Sequence, residues 1–296
     1  MTKKSRTGER FKKPFVIAEI GCNHIGDIEI AKQMISVAKH FCKADAVKFQ
    51  KRTPRELLSK EEYDAPHPAP HHSYGNSYGA HREFLEFTAA QHRILKRYCQ
   101  AQAIEYSTSV WDLTSTKQIV ALRPRMLKIP SACNLRFDML EYICKNFEGE
   151  IHISLGMTRR KEEKKIIEFM KKNGRAKDTV LYACTSGYPV PFEDVCLLEI
   201  ERLRKSYGVQ VKEIGFSGHH NGIAIDLIAY TLGAPIIERH FTLDRTWKGT
   251  DHAASLEPDG MRRLIRDLYA AQVSLNYKHM DILPIEKAQR SKLKRV

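Results

Sequence analysis

Residues 236–252 read IIERHFTLDRTWKGTDH, and this stretch shows the pattern on which the fold of the whole chain depends. It opens as a short β-branched strand in which Glu238 and His240 share one face, because side chains two residues apart point to the same side. A carboxylate and an imidazole on one face of a buried strand are costly unless they are paired or bind a ligand. The strand is therefore predicted to end at a functional site.

A second strand of the same kind precedes this one. Residues 213–216 run into Ser217-Gly218-His219-His220, and one helical pattern at residues 223–232 separates the two strands. Capping and packing would explain either histidine by itself. For a pair of histidines at matching strand ends, we favour a site for a metal ion or an anion.

The same alternation of apolar strand and helical pattern runs through the rest of the chain. Eight strand–helix units leave no room for a second domain, and right-handed closure of such units gives a single-domain (β/α)8 TIM barrel. A doubly wound open sheet is the alternative, but no GxGxxG motif follows any strand. The predicted strands are 15–20, 46–50, 105–108, 126–129, 151–154, 180–183, 213–216 and 236–240, and the predicted helices are 28–41, 88–103, 114–121, 138–145, 161–172, 195–206, 223–232 and 259–274.

The net charge of +14 is concentrated at the two ends of the 296-residue chain. Residues 1–13 carry six Lys/Arg and one Glu, and residues 287–296 carry five Lys/Arg and no acid, so the ends supply +10 of this charge. Charged ends are usually solvated, and no aromatic-interleaved basic motif accompanies them. We therefore predict no nucleic-acid partner and divide the chain into a basic arm (1–13), a barrel domain (14–286) and a basic tail (287–296).

Composition also indicates a cytoplasmic protein with no membrane partner. No apolar run approaches the length of a membrane span, and no apolar segment follows the basic N-terminus as a signal sequence would require. The seven cysteines are scattered singly, are odd in number and include no CxxC spacing. This pattern is typical of reduced thiols and not of a disulfide framework or a zinc site.

Polar residues occur at nearly every predicted strand end, where barrel enzymes place their chemistry. A long segment at residues 64–79, rich in Pro, His, Gly and Ser, is predicted to be a functional or mobile loop. Two lysines and several hydroxyls converging on one mouth indicate a small dianionic ligand, and the two histidines suit Mn²⁺ or Mg²⁺ in an open site. The strand-end residues are Glu19, Lys48, Gln50, Ser107, Thr108, Lys128, Ser131, Ser154, Ser217, His219, Glu238 and His240.

Several motifs resemble those of the sialic acid synthases. The resemblance covers about residues 14–286 in order, and its final motif is highly specific. The matching segments are AEIGCNHIGD (18–27), VKFQ (47–50), LKIPS (127–131), SLGM (154–157), SGYPVPFEDV (186–195), GFSGHH (215–220) and ERHFTLDRTWKGTDHAASLEP (238–258).

This resemblance implies a reaction and a set of site residues. The reaction is condensation of phosphoenolpyruvate with an N-acylmannosamine-type aldose, free or as its 6-phosphate, to a nine-carbon 2-keto-3-deoxy sugar acid and phosphate. The family pattern also implies a homodimer and a divalent metal, with Mn²⁺ preferred and Mg²⁺ or Co²⁺ as alternatives. By the same resemblance, His219 and His240 would bind the metal, Lys48, Thr108, Lys128, Ser131, Ser154 and Ser217 would hold phosphoenolpyruvate, and Glu19, Tyr188 and Asp251 would contact the aldose, with Gln50 nearby and Asn76 as a weaker candidate.

The chain departs from the family pattern at two places. Cys133 stands where the family carries an acid after the fourth strand, so two roles are open for it: a weak catalytic replacement or a small packed residue. In addition, the printed sequence stops at Val296, where the family's C-terminal antifreeze-like domain would begin. These departures keep two other interpretations open: a phosphoenolpyruvate-condensing synthase that uses another aldose, and a catalytically weak sugar-binding barrel.

Overall fold

Eight parallel strands form a closed barrel in the computed structural model, which describes residues 11–295. The strands pair in chain order and β1 closes the barrel against β8, which confirms the predicted TIM barrel. Every predicted strand is present to within two residues at each end. The strands are β1 Phe15–Gly21, β2 Ala46–Lys51, β3 Glu105–Val110, β4 Met126–Ile129, β5 Glu150–Ser154, β6 Thr179–Cys184, β7 Glu213–Gly218 and β8 Ile236–His240.

Helices surround this barrel, and each of the eight predicted helices has a counterpart. The predicted helix 28–41 is divided into an α-helix and a π-helical segment, Val37–Cys42. Thr88, the first residue of the predicted helix 88–103, is the N-cap: its hydroxyl accepts a hydrogen bond from the Gln91 amide in a capping box. The α-helices are α1 Ile28–Ser36, α2 Pro54–Leu57, α3 Lys60–Asp64, α4 Tyr78–Phe84, α5 Ala89–Ala101, α6 Leu113–Val120, α7 Phe137–Asn146, α8 Arg160–Lys172, α9 Leu198–Tyr207, α10 Ala224–Thr231, α11 Pro258–Ser274 and α12 Pro284–Leu293.

Alternation along each strand separates the barrel interior from the layer beneath the helices. In β1, Val16, Ala18 and Ile20 belong to the main apolar core, whereas Ile17 belongs to a separate cluster with Ala46 and Met126. That second cluster closes the lower part of the interior with apolar side chains. The two faces of each strand therefore pack into two separate buried layers, one inside the barrel and one beneath the helices.

A tyrosine on β6 fills much of the middle of the barrel. Tyr182 is fully buried, and a Cβ added to Gly215 on β7 would lie 2.8 Å from Cε1 of its ring. The glycine thus leaves the space that the phenol occupies. The Tyr182 hydroxyl lies 2.7 Å from Nδ1 of His152, so the interior below the site is filled by hydrogen-bonded side chains.

The segment predicted as an irregular loop at residues 64–79 is more ordered than its composition indicates. It begins at the end of α3, contains the 3-10 helix Pro70–His72, and ends at the start of α4. Ser59 and Ser77 cap α3 and α4 with their side-chain oxygens. Local capping therefore organises a segment that carries no hydrophobic periodicity.

The structure describes the two basic ends of the chain to different extents. Residues 1–10 of the basic arm lie outside the described residues. The predicted boundary at residue 286 falls inside α12, so the basic tail begins within an exposed helix and not as an irregular segment. None of the helices in residues 11–295 is both long and apolar enough to cross a membrane.

Candidate active site

Lys48 stands at the centre of a polar network inside the carboxyl end of the barrel. Its Nζ lies 2.7 Å from Oε2 of Glu19 on β1 and donates to Oγ of Ser109 on β3, also at 2.7 Å. Gln50, two residues further along β2, donates through Nε2 to Oε1 of Glu19 at 2.9 Å. Adjacent strands therefore place an acid, an ammonium group, an amide and a hydroxyl in direct contact.

Glu238 on β8 joins this network to the second lysine. Its Oε2 lies 2.9 Å from Nζ of Lys128, and its Oε1 lies 3.6 Å from Nζ of Lys48 and accepts from Oγ of Ser217 at 3.2 Å. Burial alone would raise the pKa of Glu238, but the charges of Lys128 and Lys48 bring it well below its usual value. Glu238 thus stays ionised and keeps both ammonium groups inside the mouth.

The two lysines have different electrostatic environments. Burial lowers the pKa of both side chains, but Glu19 and Glu238 more than offset this for Lys48, whose pKa is raised. For Lys128 burial prevails over Glu238, and its pKa is lowered. The Lys128 ammonium also lies 3.4 Å from the centroid of the Tyr182 ring, which is a weaker partner than a second carboxylate. Lys128 is therefore the less compensated cation and the better point of attachment for an incoming anion.

Small polar side chains gather around Gly156 next to Lys128. A Cβ added to this glycine would lie 2.4 Å from Oγ of Ser186, 2.7 Å from Oγ of Ser131 and 3.3 Å from Sγ of Cys184. The Cys184 pKa is raised, chiefly by burial, although Lys128 and Ser131 act in the opposite direction. Two hydroxyls and a thiol thus surround Gly156, and the interaction of Cys184 with the Lys128 charge places this group on the same side of the mouth as the ammonium. Such donors suit an anion.

The two predicted metal ligands face each other at the ends of β7 and β8. The ring centroids of His219 and His240 are 5.4 Å apart. Nδ1 of His219 lies 3.0 Å from the Thr185 carbonyl oxygen, and burial lowers the His219 pKa to about 3. The neutral ring therefore donates from Nδ1 and leaves the lone pair of Nε2 free. Nδ1 of His240 is buried and has no hydrogen-bond partner.

A divalent cation would suit this pair of imidazoles, since each presents a ring nitrogen that no other group of the described residues occupies. Residues 11–295 contain no group of three or more His, Cys, Asp or Glu side chains arranged to hold a metal. The pair would therefore supply two ligands and leave the other positions to water or substrate oxygens, as in an open catalytic site.

Tyr188 and Asp251, two further predicted residues, lie next to the two histidines. The Tyr188 ring centroid is 4.4 Å from that of His219 and 5.8 Å from that of His240. Oδ2 of Asp251 lies 4.0 Å from Nδ1 of His240. A Cβ added to Gly21 would lie 3.7 Å from that same carboxylate oxygen, 3.1 Å from Gln50 Nε2 and 3.4 Å from Glu19 Oε1. Asp251, Gln50 and Glu19 therefore border one space.

The structure does not bring the Thr108 side chain into the mouth with the other predicted residues. Its hydroxyl donates to the Tyr106 hydroxyl at 2.5 Å, and that hydroxyl lies 2.8 Å from Nδ1 of His92 on α5. Thr108 is therefore in the layer between barrel and helices, because it has the same strand parity as Tyr106. The inward positions of β3 are Ser107 and Ser109, and Ser109 makes the contact to Lys48.

The structure also argues against a catalytic role for Cys133. Its thiol donates to the Trp111 carbonyl oxygen at 3.2 Å, and burial raises its pKa to about 11. Cys133 belongs to the main apolar core. The raised pKa disfavours the thiolate that cysteine chemistry requires, and the Trp111 carbonyl already takes the thiol proton. Cys133 is therefore a packed side chain.

The remaining predicted residues have less direct support. Ser154 is buried and has the same strand parity as His152, so its side chain belongs to the interior. Its backbone carbonyl accepts from Nδ2 of Asn134 at 2.9 Å, which joins the loops after β4 and β5. Asn76 is exposed in the loop before α4, and its place in a ligand site stays a prediction.

Arg239 faces away from the mouth and holds the loop that carries His219. Its Nη1 donates to the Gly222 carbonyl oxygen at 2.9 Å and contacts Oδ2 of Asp226, and its Nη2 donates to the His220 carbonyl oxygen at 2.6 Å. The guanidinium is buried and its charge is matched by Asp226. This clamp joins the loop after β7 to β8 and fixes the spacing of the two histidine rings.

Sequence reasoning missed Ser109, Cys184 and Ser186, and it noted Glu238 without assigning it to the site. Strand parity could have found the first two, because Ser109 lies two residues from Ser107 on β3 and Cys184 two residues from Tyr182 on β6. Ser186 follows the strand in a loop, where alternation gives no signal. The role of Glu238 depends on contacts across the barrel and therefore on closure.

The closed barrel and its mouth of buried lysines, acids and histidines define this protein as an enzyme of the TIM-barrel class. The chain matches the NeuB family over residues 34–280, and it belongs to that family. It is 37% identical over 279 residues to the N-acetylneuraminate-9-phosphate synthase of Homo sapiens, which covers 94% of this chain and 76% of that protein. It is 32% identical to the N,N'-diacetyllegionaminic acid synthase of Campylobacter jejuni, over 96% of this chain and 82% of that protein.

Solved structures agree with this assignment. The N-acetylneuraminic acid (sialic acid) synthetase of Leptospira borgpetersenii, in complex with citrate, superposes with a TM-score of 0.79 at 28% identity, over 96% of this chain and 94% of that one. A truncated 3-deoxy-D-arabino-heptulosonate 7-phosphate synthase of Thermotoga maritima superposes with a TM-score of 0.67 at 11% identity, over 92% of this chain and 90% of that one, and shares the fold.

Proposed function

We propose that this chain condenses phosphoenolpyruvate with an N-acylmannosamine-type aldose to a nine-carbon 2-keto-3-deoxy sugar acid and phosphate. The observation that carries this proposal is the entry of Lys48 and Lys128 into one mouth beside Glu19, Glu238 and the histidine pair. The relatives named as synthases of N-acetylneuraminate 9-phosphate and of diacetyllegionaminic acid support the same class of reaction with different sugars.

The anion pocket beside Lys128 suits phosphoenolpyruvate. The ammonium group would offset part of the phosphate charge, and the hydroxyls of Ser131 and Ser186 would donate to its oxygens. Lys48 is held by Glu19 and Glu238, so it has less positive potential to offer and is better suited to the substrate carboxylate. The preorganised charges would act throughout the reaction without reorientation.

The space bordered by Asp251, Gln50 and Glu19 would hold the aldose beside the histidines. In the reaction, C3 of phosphoenolpyruvate forms a bond to the aldehyde carbon, water adds at C2, and phosphate leaves with cleavage of its C–O bond. Glu19 is the carboxylate placed to accept the proton of that water at Oε1 or Oε2. Lys48, at 2.7 Å from Oε2, would stabilise the ionised acid between turnovers.

A divalent metal, Mn²⁺ in the first place, is part of the proposal. His219 and His240 would hold it through ring nitrogens, because Nδ1 of His219 is taken up by the Thr185 carbonyl and leaves Nε2 available, and Nδ1 of His240 has no hydrogen-bond partner. When bound, such a cation supplies Lewis acidity to a carbonyl oxygen. The clamp of Arg239 on the loop after β7 would keep the two ligands at one separation.

Phosphate release from phosphoenolpyruvate tests the function directly. With Mn²⁺ present, we expect release with N-acetylmannosamine or its 6-phosphate and none with an aldopentose 5-phosphate or an aldotetrose 4-phosphate. Phosphate release only with the aldopentose 5-phosphate or the aldotetrose 4-phosphate would instead support a synthase that uses another aldose. Binding of the amino sugar without any release would support the sugar-binding barrel. Product mass identifies the carbon–carbon bond in each case.

Cys133 provides a test of which acid moves the proton. Cys133→Ser is expected to leave turnover within about twofold, because the hydroxyl can still donate to the Trp111 carbonyl. Cys133→Glu is expected to lower the free energy of unfolding by about 1–3 kcal/mol, since it buries a charge without a partner. Turnover and denaturant unfolding of both variants check this. A rise in turnover of Cys133→Glu would show that the thiol replaces a catalytic acid.

Four finer statements stay predictions of the same proposal. They are the preference for Mn²⁺ over Mg²⁺ or Co²⁺, a homodimer in solution, a cytoplasmic location, and the absence of nucleic-acid and membrane partners. The two-histidine site supports the first, the resemblance to the family supports the second, and composition supports the last two.

A further inference from the structure

A series of polar side chains runs through the barrel interior from the start of β5 to the mouth. Glu150 begins β5, His152 lies two residues further on the same face, Tyr182 lies on the neighbouring strand β6, and Lys128 lies on β4. Glu150 is partly exposed, and the other three side chains are buried. Of these residues only Lys128 has a part in the proposed reaction, so the burial of the others calls for a reason.

The Lys128 ammonium lies against the face of the Tyr182 ring. Its Nζ is 3.4 Å from the ring centroid and 2.9 Å from Oε2 of Glu238. Both the lysine and the tyrosine are removed from solvent, so bulk water does not screen their contact. A desolvated ammonium group over an aromatic ring is attracted by the negative charge of the ring face. The ring therefore stabilises the cation without neutralising it.

His152 holds the other end of this tyrosine. Its Nδ1 lies 2.7 Å from the Tyr182 hydroxyl oxygen. Burial raises the Tyr182 pKa well above its usual value, so the ring remains a neutral phenol. Burial also lowers the pKa of His152, so the imidazole is neutral as well. The proton of the contact therefore belongs either to the phenol or to Nδ1.

The carboxylate of Glu150 decides between these two arrangements. Its Oε2 lies 3.6 Å from Nε2 of His152, and its Oε1 lies 2.9 Å from Nζ of Lys212. The contact with His152 is the main cause that lowers the Glu150 pKa to about 2. An N–H at Nε2 is attracted to this ionised carboxylate, whereas a lone pair there would be repelled. Nδ1 is then the acceptor and the Tyr182 hydroxyl donates.

Donation by the phenol strengthens the contact at the opposite end of the series. Hydrogen bonds in a chain polarise one another, and a phenol that donates its proton gains electron density in its ring. The ring face turned toward Lys128 thus becomes more negative. Glu150 and His152 act on the ammonium group through Tyr182, although neither contacts it.

The ring also gives Lys128 a partner that leaves its charge available to a ligand. Lys48 lies 2.7 Å from Glu19 and 3.6 Å from Glu238, so two carboxylates offset its charge. A second carboxylate beside Lys128 would repel an incoming phosphate, whereas a ring face carries no net charge. Without the ring, burial and the charge of Lys48 would oppose the ammonium form of Lys128 with only Glu238 to support it.

We propose that Tyr182 is a positioning residue for phosphoenolpyruvate binding, because its ring face holds the Lys128 ammonium group in the mouth. His152 and Glu150 hold and polarise that ring. This inference rests on the proposed function and adds to it three residues that act through Lys128. The affinity for phosphoenolpyruvate should therefore follow the electron density of the ring at position 182, and not its volume alone.

Graded fluorination of this ring tests the proposal. Tyr182 is replaced by phenylalanine and by phenylalanines with one, two or three ring fluorines, which withdraw electron density and change the ring volume little. Phosphoenolpyruvate binding, measured by titration calorimetry, is expected to weaken stepwise, by about 10- to 30-fold over the series. Tyr182→Leu should lose about as much as the most fluorinated ring. The KM for the sugar should change less than about twofold throughout, since its site is elsewhere in the mouth.

Tyr106 offers a matched control for these substitutions. It is also a buried tyrosine, and its hydroxyl lies 2.8 Å from Nδ1 of His92, but it belongs to the layer beneath the helices. The same set of phenylalanines at position 106 should leave phosphoenolpyruvate binding unchanged. Denaturant unfolding of every variant, measured alongside, identifies any loss of folded protein.

The outcomes separate this inference from the proposed function. Equal affinity along the fluorinated series, with a loss only in Tyr182→Leu, would assign Tyr182 to packing and overturn the inference while the condensation would stand. Tighter binding on fluorination would also overturn it, because the ring would then compete with phosphate for the ammonium group. Stepwise loss of phosphoenolpyruvate binding in a protein that releases no phosphate would support the ring contact and overturn the condensation. Absence of both binding and release in the unchanged protein would overturn both proposals.

Discussion

Replacing His240 with alanine is expected to abolish both Mn²⁺ binding and condensation, with turnover reduced by about 10³-fold or more. A Lewis acid contributes several kcal/mol of transition-state stabilisation, and each 1.4 kcal/mol corresponds to a factor of ten in rate. The ring of His240 lies 5.4 Å from that of His219, so removal of either leaves one imidazole to hold the ion. His219→Ala should therefore give the same result.

Electron paramagnetic resonance of added Mn²⁺ measures binding without reference to activity, and phosphate release measures turnover. His92→Gln is a suitable control because it also removes a buried imidazole, but one that contacts Tyr106 in the layer beneath the helices. This control should bind Mn²⁺ as the unchanged protein does. Full turnover of His240→Ala in chelator-treated buffer would exclude the metal proposal.

Replacing Lys128 with methionine is expected to raise the KM for phosphoenolpyruvate by about 100-fold and to change the KM for the sugar much less. Loss of a charge-assisted contact to a phosphate is worth about 1.5–3 kcal/mol. Methionine retains most of the side-chain volume. Glu238 would still have two partners, the Lys48 ammonium at 3.6 Å and the Ser217 hydroxyl. The expected loss is therefore one of anion binding more than of folding.

Initial-rate kinetics with each substrate varied in turn would measure the two constants. Lys161→Met removes an exposed lysine and should leave both constants unchanged. A Lys128→Met protein in which only the sugar constant rises would place the aldose, and not phosphoenolpyruvate, beside this ammonium group. Denaturant unfolding separates such an effect from loss of stability.

Local patterns in the sequence were sufficient for the barrel itself. The apolar strands and helical patterns of residues 15–274 predict eight strand–helix units because side-chain periodicity depends only on neighbours along the chain. The same patterns placed Lys48, Lys128, His219 and His240 at strand ends, and the closed sheet brings those ends together. The N-cap Thr88 was likewise readable, since a capping box lies within four residues.

The contacts of the site were decided by tertiary structure. Thr108 and Ser109 are adjacent in the chain, and the register of β3 against β2 places Ser109, not Thr108, beside Lys48. A shift of one residue exchanges the two faces of a strand, so a motif match could not make that choice. Cys133 reads as a substitution in a catalytic motif, but its thiol donates to a carbonyl group after β3.

The sequence by itself determined that this chain is a TIM barrel with lysines, acids and histidines at one end, because strand periodicity and residue type are local properties. Only the tertiary structure decided that Glu238 bridges Lys48 and Lys128, and that Ser109 contacts Lys48. These pairs come from distant segments, and their interaction depends on distances of a few ångströms. Closure of the whole barrel sets such distances. They decide which groups interact, because Coulomb and hydrogen-bond energies change steeply over that range.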